Sequence, residues 1–351
     1  MSEPLFSDKE IAERGARIAE ALSAAIAAGT SQDAVFRQAA EDNVDWFTER
    51  LADQMQEKSP LVAARRRADK ARLSETWGPA LEAYYTVTVA AAELGALCSR
   101  RREEAEAPAD TVSDALALLH ARACQTSFEV HALLGAGFPG GAYGRFRTLH
   151  ELAVTAAVIA EYGRMPGHAD LAERYLDHTH IEHYKQARLY QRSGPHLGWQ
   201  PHSPKIMRAL KREHDRLIAR YGREYREDYG WAAGLTGPRP TFARLEAKAH
   251  MDVLRYLYVT GSHLVHASAH GLRLTLAPDS GAVVGGPSDT GLAQPAMASL
   301  NALLDVTGGL VVHGRHPDDP SACVNFLGLS ELRSRALRLF DETEARGSSA
   351  R

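Results

Sequence analysis

GRFRTLHELAVTAAVIAEY, residues 144–162, sets Arg145, Arg147, His150 and Glu151 at the head of a run that is apolar almost all round. A surface helix keeps a polar face along its length, whereas a helix without one is packed on every side. This segment therefore reads as the centre of a helical bundle. Arg147 and Glu151 stand four residues apart and project from one side of it. A charged pair persists in such a place only when paired and hydrogen-bonded, so the two residues either organise the core or belong to a site.

Helical periodicity extends outward in both directions. Upstream, Thr111-Val-Ser-Asp114 has capping-box spacing and opens a helix that runs to Gly137; after the turn at FPGG it forms a helical hairpin with the central segment. The acidic, proline-bearing EEAEAPAD at residues 103–110 interrupts the periodicity and divides an N-terminal helical arm, residues 1–104, from a bundle at 111–345. Within the arm, a capping box at Ser7–Glu10 precedes an amphipathic helix ending at Gly29. A second helix follows, and Pro60 separates it from a third run from Val62 to about Glu104. Downstream, RYLDHTHIEHYKQARLYQR is a helix with His178, Glu182 and Lys185 on one face, and Ser203-Pro204 caps the next helix. Residues 228–240 are irregular. A long helix is expected from Thr241 to about Leu274, then a small β-hairpin near residues 272–286, where Pro278-Asp279-Ser280-Gly281 supplies turn chemistry. Two helices, at about residues 291–313 and 320–344, finish an all-α multi-helix bundle.

The second polar segment is GSHLVHASAHG, residues 261–271. At 100° per residue, Tyr256, Val259, His263, His266 and His270 fall within an arc of roughly 80°, with Ser262 beside it. Imidazole is a usual zinc ligand, yet three histidines on one helix converge on a tetrahedral ion only if His178, Glu182 or Glu151 completes the sphere. No cysteine pair or HExxH pattern supports that, so neither metal nor cofactor is expected. The composite site expected here joins Arg147, Glu151, Ser262 and His266: Arg147 binds charge, Glu151 orients it and His266 moves a proton. Such a pocket suits a phosphate-bearing or other anionic ligand. The opposing reading is a non-catalytic interaction module whose polar core fixes helix register.

Composition narrows the class. The chain has 351 residues, 44% hydrophobic and 24% charged, with a formal charge of −3. That balance excludes a disordered or fibrous chain and gives no global pull toward nucleic acid or an anionic membrane. The basic runs at residues 64–72 and 208–216 read as solvated helix faces. Cys98, Cys124 and Cys323 lie far apart, as free and mostly buried thiols of a reducing compartment would. No apolar run reaches the roughly 18 residues of a membrane span, and MSEPLFSDKEIAERG is too polar for a signal peptide. A cytoplasmic location with no membrane partner is expected.

Two resemblances add to this reading. Arg145 and His150 match the Arg, four-residue gap, His spacing of HEPN (higher eukaryotes and prokaryotes nucleotide-binding) ribonucleases, although Phe146 stands where that family usually has a polar residue. That likeness implies metal-independent RNA cleavage at a homodimer interface. More of the chain is covered by the series ACQTSFEVHALLGAGFPGGAYGRFRTLHELAVTAAVIAEY, AERYLDHTHIEHYK and YVTGSHLVHASAHG, which resembles the uncharacterised bacterial family numbered domain of unknown function 5677 over about residues 111–286. Its recurrent features correspond to Arg147 and Glu151, to Arg174 and Tyr175, and to Ser262, His266 and Ser268. The resemblance implies a helical bundle in which these residues meet, and it brings no activity. Arg174, Tyr175, Lys185, His263, Ser268 and His270 are the accompanying ligand-binding candidates.

Overall fold

The structure, a computed structural model, describes residues 9–106, 108–274, 285–314 and 320–349. It separates into two compact units, Met1–Arg72 and Leu73–Arg351. In the first, α1 (Lys9–Ala27) turns at Gly29, whose φ of +93° is one that glycine adopts at little cost, into α2 (Gln32–Glu104). Arg14 fastens the two helices: its Nε donates to Asn43 Oδ1 at 2.9 Å and its guanidinium lies over the Trp46 ring. The capping box expected at Ser7–Glu10 rests on residues outside the described set. Pro60 does not separate two helices as the sequence suggested; it lies inside α2. The helix forfeits one hydrogen bond there, but Gln56, whose carbonyl loses its partner, is exposed to water. Leu61, Ala63, Ala64 and Arg65 are strong helix formers that carry the helix onward.

The second unit begins within α2. Trp77, Tyr84, Val87, Ala91, Leu94 and Cys98 enter its core at helical spacing. Helix α3 (Thr111–Gly135) packs beside them through a polar chain in which Ser127 Oγ donates to Tyr84 OH at 3.0 Å and meets Thr88 Oγ1 at 2.8 Å. The N-cap of α3 is Asp110 rather than Thr111: its carboxylate accepts from the Val112 backbone N–H and pairs with Arg164. Helix α4 (Pro139–Tyr162) is the central helix the sequence implied, packed against α3 on one side and other helices on the rest. After it come α5 (Leu171–Ser193), α6 (Pro204–Tyr221, capped by Ser203 as expected), the short α7 (Ala233–Thr236) and α8 (Phe242–Lys248). They are followed by α9 (Arg255–Val265), α10 (Ala269–Arg273), α11 (Ala293–Gly309) and α12 (Ser321–Ser349).

Three expectations change. The helix foreseen from Thr241 to Leu274 is broken into α8, a 3₁₀ turn at Asp252–Leu254, α9 and α10. His250 takes a left-handed φ of +54° after α8, and Ser268 caps α10 by accepting from Gly271 N–H, a local bond that competes with helix continuation. The β-hairpin near residues 272–286 falls mainly on residues 275–284, outside the described set. Leu272 and Arg273 belong to α10, and the described residues contain no strand. Finally, Ala293–His313 is long and apolar enough by composition to cross a membrane, but 67% of that window is buried inside the protein. It is a core helix: Ala296, Leu300, Leu303 and Val306 all face the bundle interior. Among the described residues no disulfide forms; Cys98 and Cys124 are buried and Cys323 is half-buried.

Candidate functional site

Helix α9 crosses α4 at small residues. A Cβ on Gly261 would lie 2.9 Å from the Tyr143 carbonyl oxygen, and one on Gly144 would meet Val265 Cγ2 at 3.0 Å. This close crossing brings Tyr258, one helical turn before Gly261, against the polar head of α4. Arg147 Nη2 donates to Tyr258 OH at 2.9 Å, Tyr258 OH donates to Glu151 Oε1 at 2.8 Å, and Arg147 Nη2 stands 3.3 Å from the same Oε1. Both bonds to Glu151 use Oε1, which leaves Oε2 without a partner among the described residues. Arg147 and Glu151 remain partly exposed, 26% and 35% of their side chains.

One residue earlier on α4, His150 is fully buried. Its Nε2–H donates to Glu246 Oε1 at 2.9 Å, and Glu246, itself without exposure, also binds Arg255 through Oε2. Phe146, Phe242 and Tyr258 surround the imidazole. Burial lowers the His150 pKa, opposed by the Glu246 carboxylate. Arg145 points elsewhere and pairs with Glu129 of α3 at 2.6 Å. The two residues of the ribonuclease-like spacing therefore do not converge, and one of them is closed to any substrate.

Glu151 borders a cleft of about 560 Å³ between α3, α4, α5 and the segment after α6. Its aromatic lining is Tyr175, Tyr229, Trp231 and Phe242, and its carboxylates are Glu151, Glu182 and Asp228. His178 also lines it. Its Nε2–H faces the Tyr225 and Glu227 carbonyls at 3.0 and 2.9 Å, which fixes the tautomer and leaves Nδ1 3.6 Å from Glu182 Oε1. Burial lowers the His178 pKa while Glu182 opposes it. With Nε2–H donating, Nδ1 carries the ring's lone pair and is a hydrogen-bond acceptor at the cleft. Burial, helped by the Glu151 charge, holds the Tyr229 hydroxyl protonated. Lys185 bridges Asp228 at 3.0 Å and Glu182 at 3.6 Å, so its charge is already matched.

Of the composite expected from sequence, Arg147 and Glu151 do meet a residue of α9, but that residue is Tyr258. His266 lies past the end of α9 in extended backbone, is exposed, and its ring has no hydrogen-bond partner among the described residues. Ser262 donates to the Tyr258 carbonyl of its own helix at 3.0 Å. The supposed histidine stripe faces outward at its start, where Tyr256 is 72% exposed. His263 Nδ1 meets Ser268 Oγ at 3.0 Å and packs edge-on against His270, so these three residues close the α9–α10 corner. Arg174 lies over the Tyr221 and Tyr225 rings, while Tyr175 meets Trp231 at the cleft wall. Among the described residues no group of three or more His, Cys, Asp or Glu is arranged to hold a metal ion.

The sequence reading missed Tyr258, Tyr229, Glu246 and Arg255. A signal for Tyr258 existed: it lies three residues before Gly261, and a glycine inside a helix marks a close approach that identifies the inner face. No curated protein and no solved structure matches the chain. Residues 113–282, which carry the cleft and the α4–α9 crossing, match the model of a family of unknown function (DUF5677).

Proposed function

We propose that the cleft binds a small organic molecule carrying a positively charged nitrogen, an amine or a guanidine, on an apolar body. The observation that carries this reading is the Glu151 carboxylate, held from behind by Arg147 and Tyr258, at the edge of a cleft with four aromatic side chains. Aromatic faces and carboxylates together attract cations, and the volume suits a small ligand. An anionic ligand, the expectation drawn from Arg147 alone, loses its main attraction: Arg147 is engaged by Glu151, Lys185 by two carboxylates, and Arg122 stands 3.5 Å from Glu129.

Trp231 in the lining offers a fluorescence readout. Phenethylammonium is expected to change Trp231 emission saturably, and phenyl phosphate is expected to leave it unchanged. Glu151→Gln should weaken phenethylammonium about tenfold or more, the loss of one charge-assisted contact. Saturable binding of phenyl phosphate, or phenethylammonium binding that ignores Glu151→Gln, would overturn the proposal.

A further inference from the structure

The first unit carries an apolar stripe that α1 leaves uncovered. Val44, Leu51, Met55 and Val62 of α2 are 54%, 44%, 63% and 43% exposed. At 100° per residue they lie within an arc of roughly 40°, a 7-4-7 spacing that makes a continuous seam. Helix α1 occupies another side of α2, through Asn43 and Trp46. The charge along α2 is polarised as well. Residues 41–57 hold Glu41, Asp42, Asp45, Glu49, Asp53 and Glu57 against Arg50, whereas residues 58–72 hold Lys58, Arg65, Arg66, Arg67, Lys70 and Arg72 against Asp69.

We propose that this seam is a homodimer interface in which α2 pairs antiparallel with α2 of a second copy, centred near Asp53. The stripe is its own complement under that operation. Val44 comes level with Val62 of the second copy and Leu51 with Met55, so each apolar residue faces another. The acidic segment of one chain then runs beside the basic segment of the other, with Glu41 on the flank that faces Arg66 of the second copy. Parallel pairing instead sets acid against acid and base against base, which electrostatics disfavours. A two-fold interface uses one patch twice, as this seam does.

Sedimentation equilibrium of the full chain should give twice the 38.3 kDa monomer mass. Leu51→Glu with Met55→Glu should return the monomer with helical circular dichroism retained. Glu41→Arg should weaken the dimer, and adding Arg66→Glu should restore it. Within one chain these residues lie roughly 37 Å apart along the helix, so only pairing between chains explains a rescue. Val44→Cys with Val62→Cys should form a covalent dimer under mild oxidation, while either single variant and the unmodified chain should not. A monomer at all concentrations, a dimer indifferent to Leu51→Glu with Met55→Glu, or covalent dimers from Val44→Cys alone, the mark of parallel pairing, would each overturn the proposal.

Discussion

His150 and Glu151 are neighbours on α4, yet they enter two polar clusters of opposite character. His150 joins Glu246 in full burial, whereas Glu151, with Arg147 and Tyr258, keeps a third of its side chain exposed at the edge of a cleft. Both clusters tie α4 to elements that follow it at a long sequence distance. Consecutive residues on a helix are about 100° apart, enough for one to face the core and the next the cleft. A buried cluster holds the fold because its groups have no alternative partner, and a half-exposed one has capacity left for a ligand.

That contrast breaks or holds on variants of graded effect. The largest loss is expected from Glu246→Ala, which leaves His150 with an unsatisfied buried N–H and Arg255 without its carboxylate; urea denaturation should show about 3 kcal/mol less stability. Gly261→Ala forces a methyl group toward the Tyr143 carbonyl and should cost about 2 kcal/mol by the same measurement, with α9 displaced from α4. Tyr258→Phe removes a donor to Glu151 and an acceptor for Arg147, and about 1.5 kcal/mol should go with it.

The pH dependence follows with a definite sign. Burial lowers the pKa values of His150 and His178, and pushes His120 down to about 4. The unfolded chain therefore takes up protons near pH 6.5 that the folded chain refuses. Stability contributed by these neutral imidazoles is whole above about pH 6.5 and declines as pH falls below it, by up to about 1.4 kcal/mol per pH unit for each group. For His120 the decline ends near pH 4. Urea midpoints that hold constant between pH 7 and pH 5 would contradict this. The smallest stability change belongs to Glu151→Gln, within about 0.5 kcal/mol because the ion pair is partly solvated. A large loss there would move Glu151 to the fold-holding side of the contrast.

Much of the architecture was readable without coordinates. The apolar run after Glu151 marked α4 as central, Ser203-Pro204 marked the start of α6, and the acidic segment before Asp110 marked the entry to α3. Local chemistry decided these features, so local sequence carried them. Pro60 misled because a missing hydrogen bond at an exposed turn of helix costs less than a break would. The histidine segment misled for two reasons. Angular arithmetic places residues on a common stripe but does not say which way the stripe faces, and Ser268 ends the regular rotation before His270. The partners of the site were the least legible part. Glu246 lies 96 residues from His150, and Tyr258 lies 107 from Glu151, so each pairing depends on a crossing that only tertiary packing creates.

The Tyr258 hydroxyl owns one proton, and that proton is committed to Glu151 while the oxygen receives Arg147. The order of donation is thus one-way, guanidinium to phenol to carboxylate, and it holds only while the carboxylate is ionised and free to accept. For the ligand proposed above, occupancy at Glu151 and the docking of α9 are linked to the extent that binding draws the carboxylate from Tyr258: such a ligand would loosen the helix that carries Tyr258, and seating that helix more firmly would weaken the ligand by the same factor.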